Sequence, residues 1–210
     1  MSSVGPQVAA LALSSSMENG RTGSDVSDGM TAAVRAPRDV SQEPVLEENY
    51  RILKYRLLGL IDNFLNKYTS WITWMDTGLK AKIYKSACGS INISQQEFPE
   101  FTTTQYSRLY RLTQLSAYAY YIKSQVSDPS YGAAACQDIQ NITSNLQMTS
   151  SCLKQLVQPD VTNDAIYNFV TQHVTTPEIP IQNQRPAVKR AFTATVLTLM
   201  KDTMSSGSFS

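Results

Sequence analysis

The chain has a single histidine, three cysteines and only 17% charged residues over its 210 positions. One imidazole, His173, excludes a multi-histidine metal centre. Lying among Thr and Val, it reads as a solvated or locally bonded residue rather than a general base. No GxGxxG, phosphate loop, CxxC or HExxH spacing occurs. Carboxylates are scattered: Glu47 and Glu48 sit where a helix dipole favours negative charge, and Asp62 follows apolar Ile61 on what reads as a solvent-facing side. No catalytic, cofactor-binding or metal-ligating set can be assembled, and the expectation is a non-enzymatic protein without cofactors.

Charge of one sign is also missing. Eighteen Lys plus Arg against 17 Asp plus Glu leave a net charge of +1. That supplies no long-range field to gather phosphates or anionic lipid, so nucleic acid is not an expected partner. Nor does any apolar run approach the roughly 18 residues that would cross a bilayer; the stretch around Trp71 to Trp74 is broken by Thr and Asp. Membrane insertion is not expected, and the chain reads as soluble.

The odd cysteine count forbids complete internal pairing. If Cys136 and Cys152 share one helix, they stand about 24 Å apart, far beyond the roughly 7 Å limit for a bridge. At most one of them meets Cys88; the alternative is three free thiols acting as small apolar residues.

A secretory signal is not visible, since the N-terminus lacks a basic region and Val8–Leu13 is a short apolar span. Two acceptor sequons, Asn92-Ile93-Ser94 and Asn141-Ile142-Thr143, would matter only in the secretory pathway, and such triplets also arise by chance.

What the sequence does contain is 42% hydrophobic residues, which take up a regular period only after Pro44. Residues 1–43 are rich in Ser, Gly, Asp and Ala with no lasting apolar period, which predicts a disordered N-terminal arm. From Leu46 through Tyr50, Leu53, Leu57, Leu60, Phe64, Tyr68, Trp71 and Met75 the spacing alternates four and three, predicting one continuous helix A. It opens at Pro44 and ends near Asp76-Thr77-Gly78, with Gly78 as a left-handed cap. At about 30 residues it would be about 45 Å long. A possible extra turn follows at Leu79–Tyr84, then a long loop from Ala87 to Thr104.

Helix B is expected from Thr104, its N-cap, to Val126, with Leu109, Leu112, Leu115, Ala119, Ile122 and Val126 on one side. The turn Ser127–Gly132 is short, so helix C should run antiparallel to B. Helix C repeats the alternation through Ala135, Ile139, Ile142, Leu146, Thr149, Leu153 and Leu156, until Pro159 stops it. A short helix over Asp160–Val174, capped by Asp160 or Thr162 with Ile166, Phe169 and Val170 apolar, precedes an extended link through Pro177 and Pro180. Helix D begins at Arg185-Pro186, carries Val188, Phe192, Val196, Leu199 and Met200, and leads into a frayed tail over 205–210.

Two long links flank one short one, which predicts parallel A and B, parallel C and D, and a single all-α domain over 44–204 with four-helix up-up-down-down topology. The segments Tyr50–Met75, Arg108–Ile122 and Cys136–Leu156 resemble helices A, B and C of the interleukin-6 superfamily. Within it, the branch of ciliary neurotrophic factor, cardiotrophin and cardiotrophin-like factors is the most similar. The resemblance covers roughly Pro44 to Thr203 in element order and link length, and it rests on leucine patterns.

It implies an extracellular, growth-factor-like signalling ligand released with or without a cleaved signal. Such a ligand joins cytokine receptor ectodomains through the outer faces of A and C, and through the end of D with the late A-to-B link. Residues off the apolar stripes become the receptor-binding candidates: Tyr55, Asn63, Lys67, Thr73 and Trp74 on A, Gln137, Gln140, Gln147 and Lys154 on C, and Lys189 at the start of D. Each equally suits an ordinary solvated face, and Trp74 suits a core. The Phe and Lys, three residues apart, that mark the start of helix D in that branch are not found in Ile179–Lys189, which puts that receptor contact in doubt. The competing expectation is a cytoplasmic or virion helical coat-type subunit that self-assembles, which the missing signal, unpaired cysteines and long arm also fit.

Overall fold

A computed structural model describes residues 42–90, 102–125, 128–158, 161–173 and 184–206. Among them the chain is all-helical, without strands. The helices are α1 (Glu43–Lys67), α2 (Ser70–Thr73), α3 (Thr77–Ser90), α4 (Thr103–Gln125), α5 (Ala133–Val157), α6 (Asn163–His173) and α7 (Pro186–Ser205), with a 3-10 turn at Pro129–Tyr131. The expected arm lies outside the described residues, except at its last two positions, where Gln42 precedes α1 and Glu43 already opens it.

Helix α1 starts as its sequence dictates, with Pro44 in the first turn and Glu43 and Lys67 complementing the dipole at either end. The expectation of one continuous helix to Met75 is corrected. The Thr69 hydroxyl donates to the carbonyls of Leu65 and Asn66 at 3.1 and 2.8 Å, competing with the helical ladder where α1 ends. The apolar stripe survives the break: Tyr50, Leu57, Phe64, Trp71 and Met75 are buried, while Leu46, Leu53, Leu60 and Tyr68 are half-buried against them. Gly78 does not cap α1 in a left-handed conformation; it lies inside α3, which Asp76 opens by accepting from the Leu79 amide at 2.8 Å. Nor does a loop begin at Ala87. Helix α3 continues to Ser90, and Ile83 and Ala87 are buried on the side that packs against α7.

Helix α4 is capped by Thr102, not Thr104. Thr102 and Gln105 exchange hydrogen bonds, Gln105 Oε1 accepting from the Thr102 amide at 2.9 Å and Thr102 Oγ1 from the Gln105 amide at 3.3 Å. This helix is buried around most of its girth, because α5, α6 and α7 all pack on it. Polar residues survive there by bonding to their own helix: Thr113 Oγ1 donates to Leu109 O and Ser116 Oγ to Leu112 O, each at 2.8 Å. Helix α5 follows the expected pattern, with all seven residues of its stripe buried. Gly132, at φ 83°, makes the turn into it, a conformation that favours glycine. Thr162 caps α6 by accepting from the Ala165 amide, and Ile166 and Phe169 are buried.

Side-chain contacts fix how the helices run. Lys67 at the end of α1 meets Asp138 near the start of α5, while the Cys152 thiol near the end of α5 donates to Leu46 O near the start of α1. These two helices are therefore antiparallel. Asp62 pairs with Lys201 at 2.5 Å, and Arg190 lies over the Trp71 ring, so α7 also runs against α1. Arg108, in the first turns of α4, reaches Glu43 and Glu47 of α1 and Leu156 O of α5. The starts of α1 and α4 thus share one end with the finish of α5.

Three tyrosines lie deep in this packing. Tyr118 bonds Thr203 at 2.9 Å and Tyr131 bonds Thr193 at 2.7 Å, while the Tyr50 hydroxyl has no partner among the described residues. Burial pushes each pKa up to about 12. A folded pKa above the unfolded one means stability is complete below the unfolded value, about 10, and lost as pH rises towards the folded value. An alkaline titration should show tyrosinate absorbance rising together with loss of helical circular dichroism between these limits. Ionisation of all the tyrosines near pH 10 with helicity intact would contradict the burial.

Candidate interaction surfaces

Where α1 and α5 lie side by side, their outer faces leave an open groove of about 780 Å³. Leu46, Ile52 and Leu53 of α1 and Met148 of α5 form its apolar floor, bordered by Asn49, Gln147 and Gln155. Among the described residues no charged one lines it. Ile52 is 55% exposed, Met148 43%, and Val45 nearby 60%, so the strip is apolar and open to solvent. Charge depletion, methionine and an amide rim describe the centre of a protein interface more closely than an ordinary solvated face.

The sequence-predicted residues fall in several places. Gln147 lines this groove, and Gln140, exposed, lies two turns earlier on α5. Lys154 is half-buried on the last turn of α5. Tyr55, 60% exposed, belongs to a different cavity, between α1 and α4. Asn63 and Thr73 are exposed without lining either. Gln137 is exposed and donates to Asn141 Oδ1 at 3.3 Å. Asn141 is itself exposed but mid-helix, rather than in the surface loop typical of a glycan acceptor; Asn92 lies outside the described residues. The apolar residues Val45, Ile52 and Met148 were missed. Their only signal in the sequence is that they sit off the stripes of otherwise regular helices.

A second locus gathers Lys67, Trp74 and Lys189 at the opposite end of α1. Lys67 donates to Asp138 Oδ2 at 2.7 Å, and Tyr68 adds a bond to the same oxygen at 2.9 Å. Lys67 chiefly, with Tyr68, holds the Asp138 carboxyl below the usual range against burial, which raises it. Trp74 is 47% exposed, tethered by its indole N–H to Trp71 O at 2.9 Å. Lys189 is not free to reach outward: it pairs with Asp128 Oδ2 at 3.0 Å and lies largely buried against the α4–α5 turn. Arg190 donates to Ser130 O beside it, and Tyr131 packs on Trp71 with ring centroids 5.2 Å apart. The turn between α4 and α5 is thereby clasped to the start of α7.

Asp128 is the centre of that clasp. Ser130, ahead of Lys189, holds its carboxyl below the ordinary range. The Ser130 hydroxyl makes no well-formed hydrogen bond, so we attribute the hold to its amide, 2.9 Å from Oδ1, and to the Lys189 ammonium. The three cysteines are free, as one of the two sequence readings had it, and no cluster of potential metal ligands occurs among the described residues. No helix among them is long and apolar enough to cross a membrane.

No family model, characterised protein or solved structure matches this chain. Its surfaces must be read on their own chemistry.

Asp128→Asn should lower stability by about 1–3 kcal/mol, the range for losing hydrogen bonds to a charged group, as measured by urea unfolding at neutral pH. A depressed carboxylate contributes stability above its unfolded pKa, about 3.9, and loses it as pH falls through the folded value. The variant should therefore show a shallower loss of stability than the native chain below about pH 4. Equal stabilities at pH 7 would show that the clasp is dispensable.

Proposed function

We propose that the chain forms a long-chain four-helix bundle of up-up-down-down topology and acts outside the cell as a cytokine-like ligand that brings receptor chains together. The observation that carries this reading is the direction of the helices. Helix α1 runs against α5 and α7, and α4 likewise meets the end of α5 through Arg108 and the start of α7 through the Tyr121–Phe192 ring pair. Two helices up and two down require overhand connections. Residues 68–102 and 158–185 are each long enough to return along a 25-residue helix of about 37 Å. Part of each connection is helical, α3 on α7 and α6 on α4, which strengthens rather than replaces the four long elements. A bundle zigzagging through short loops has no use for such spans.

On this reading the α1–α5 groove is the face for a shared signalling receptor, with Ile52 and Met148 as apolar anchors and Gln140 and Gln147 at the rim. Trp74 and the start of α7 form a separate face for a second receptor chain. With Lys189 committed to Asp128, that second face depends on Trp74 more than on the lysine. The alternative, a self-assembling coat-type subunit, draws on the same exposed apolar strip.

Binding to a panel of cytokine receptor ectodomains, paired with light scattering at rising concentration, separates the two. A ligand stays monomeric and binds at least one ectodomain, and Ile52→Arg weakens that binding by about tenfold or more without loss of helicity. Concentration-dependent large assemblies, with no receptor bound, would favour the coat-type subunit and remove the ligand reading.

A further inference from the structure

Helix α7 has 20 residues against 25 in α1, and its register decides where it stops. With Arg190 over Trp71 and Lys201 on Asp62, its last residue, Ser205, arrives beside Leu58. A slot of about 540 Å³ remains there between α1 and α4, with Met204 and Ser205 on its edge. The end of α7 is well ordered for a helix terminus. Met204, one residue from the last, is 0% exposed. The Ser206 amide donates to Asp202 O and Thr203 O at 3.1 and 3.3 Å, and its hydroxyl to Thr203 O at 2.6 Å, which closes the last turn. Ser206 itself is extended, at φ −67° and ψ 151°, so the chain leaves the helix at a defined point on the edge of the slot.

Charges of both signs line the slot, and all are engaged. Glu47 pairs with Arg108 and Arg51 with Glu48, each at 2.7 Å, and Lys54 and Arg111 have partners as well. No ion is called for. The rest of the lining is apolar: Leu58, Leu153, Leu156 and Met204, with the rings of Tyr50 and Tyr55. Water makes few favourable contacts on such a wall, and an uncharged apolar group makes many. An apolar cavity of about 150 Å³ already accepts a benzene ring, so the slot has room for one. The four residues after Ser206 lie outside the described ones and read Gly207-Ser208-Phe209-Ser210. They carry no charged side chain and one large apolar group, Phe209. At roughly 3.3–3.6 Å per residue, Phe209 lies within about 10 Å of Ser206, whose neighbour Ser205 already lines the slot. Ordering so short a segment costs little beside burying a phenyl ring.

We propose that this slot is a seat for an aromatic side chain, and that Phe209 of this same chain occupies it. Its ring lies against Leu58, Leu153 and Met204, and the segment from Ser206 straps the end of α7 to α1 and α4. The tail that reads from sequence as frayed is thereby part of the fold. Nothing in this site depends on the receptor faces, because the groove between α1 and α5 shares none of its lining residues.

Nuclear Overhauser contacts in the full chain, with phenylalanine rings and leucine methyls labelled, test it directly. The Phe209 ring should show contacts to the methyls of Leu58 and Leu153, two residues far from it in sequence. Phe209→Ala should raise the unfolding constant by about tenfold or more in urea titrations, since it empties an apolar seat. Toluene, used as a probe of the vacated seat, should bind the helical Phe209→Ala chain about tenfold or more tightly than the native one. Absence of the Leu58 and Leu153 contacts in the native chain, unchanged stability in Phe209→Ala, or equal toluene binding by the two chains would each overturn the proposal. Should Phe209→Ala not fold, the ring-to-methyl contacts of the native chain still decide.

Discussion

The antiparallel seam between α1 and α5 is what the remaining helices pack around. Neither helix can stand alone in water, because the cost of ordering a helix is met only when its apolar face finds a partner. Leu57, Ile61 and Phe64 on one, and Ile139, Ile142 and Leu146 on the other, are at most 2% exposed, and such burial is worth roughly 1.5–3 kcal/mol for each side chain. Polar contacts at the two ends, Lys67 with Asp138 and Cys152 with Leu46 O, pin the register of that seam. Once it is set, α4 and α7 have one place each to go.

Helix lengths then determine what the surface offers. Where α1 and α5 run level, their outer faces form a groove whose described lining carries no charge. Where α7 stops short of the start of α1, a slot with cations on one wall is left. At the other end Asp128, Lys189 and Arg190 close the gap between the α4–α5 turn and α7, so that end carries exposed Trp74 beside a fixed polar clasp. Three ends and faces thus acquire different chemistry from one set of helices.

Much of the architecture was legible in the sequence because periodicity reports burial directly. The α5 stripe from Ala135 to Leu156 is the clearest case, since a strict alternation of four and three leaves a single face. The failures have equally local causes. Thr69 looks like any polar residue between stripe positions, yet its hydroxyl bonds back to Leu65 and Asn66 where α1 ends. Three threonines in a row, 102 to 104, offer three caps, and only Gln105 distinguishes the first, because a capping box needs an amide or acid three residues on. The sequence reads as a loop from Ala87 onward, yet tertiary packing of Ile83 and Ala87 keeps α3 helical. The all-round burial of α4 was hidden because Thr113 and Ser116 satisfy their own hydroxyls and so behave as core residues. The candidate surfaces were less legible: periodicity says which residues leave the core, as with Tyr55 and Ile52, but not which neighbouring helix they then meet.

Zero-length carbodiimide crosslinking with mass spectrometry tests the helix directions most directly, since it joins lysines only to carboxylates already in contact. The account predicts the links Lys67–Asp138, Lys201–Asp62 and Lys189–Asp128 within one chain. Links from Lys123, at the end of α4, to Glu43, Glu47 or Glu48 at the start of α1 would mean that these two helices run in opposite directions, and would contradict it.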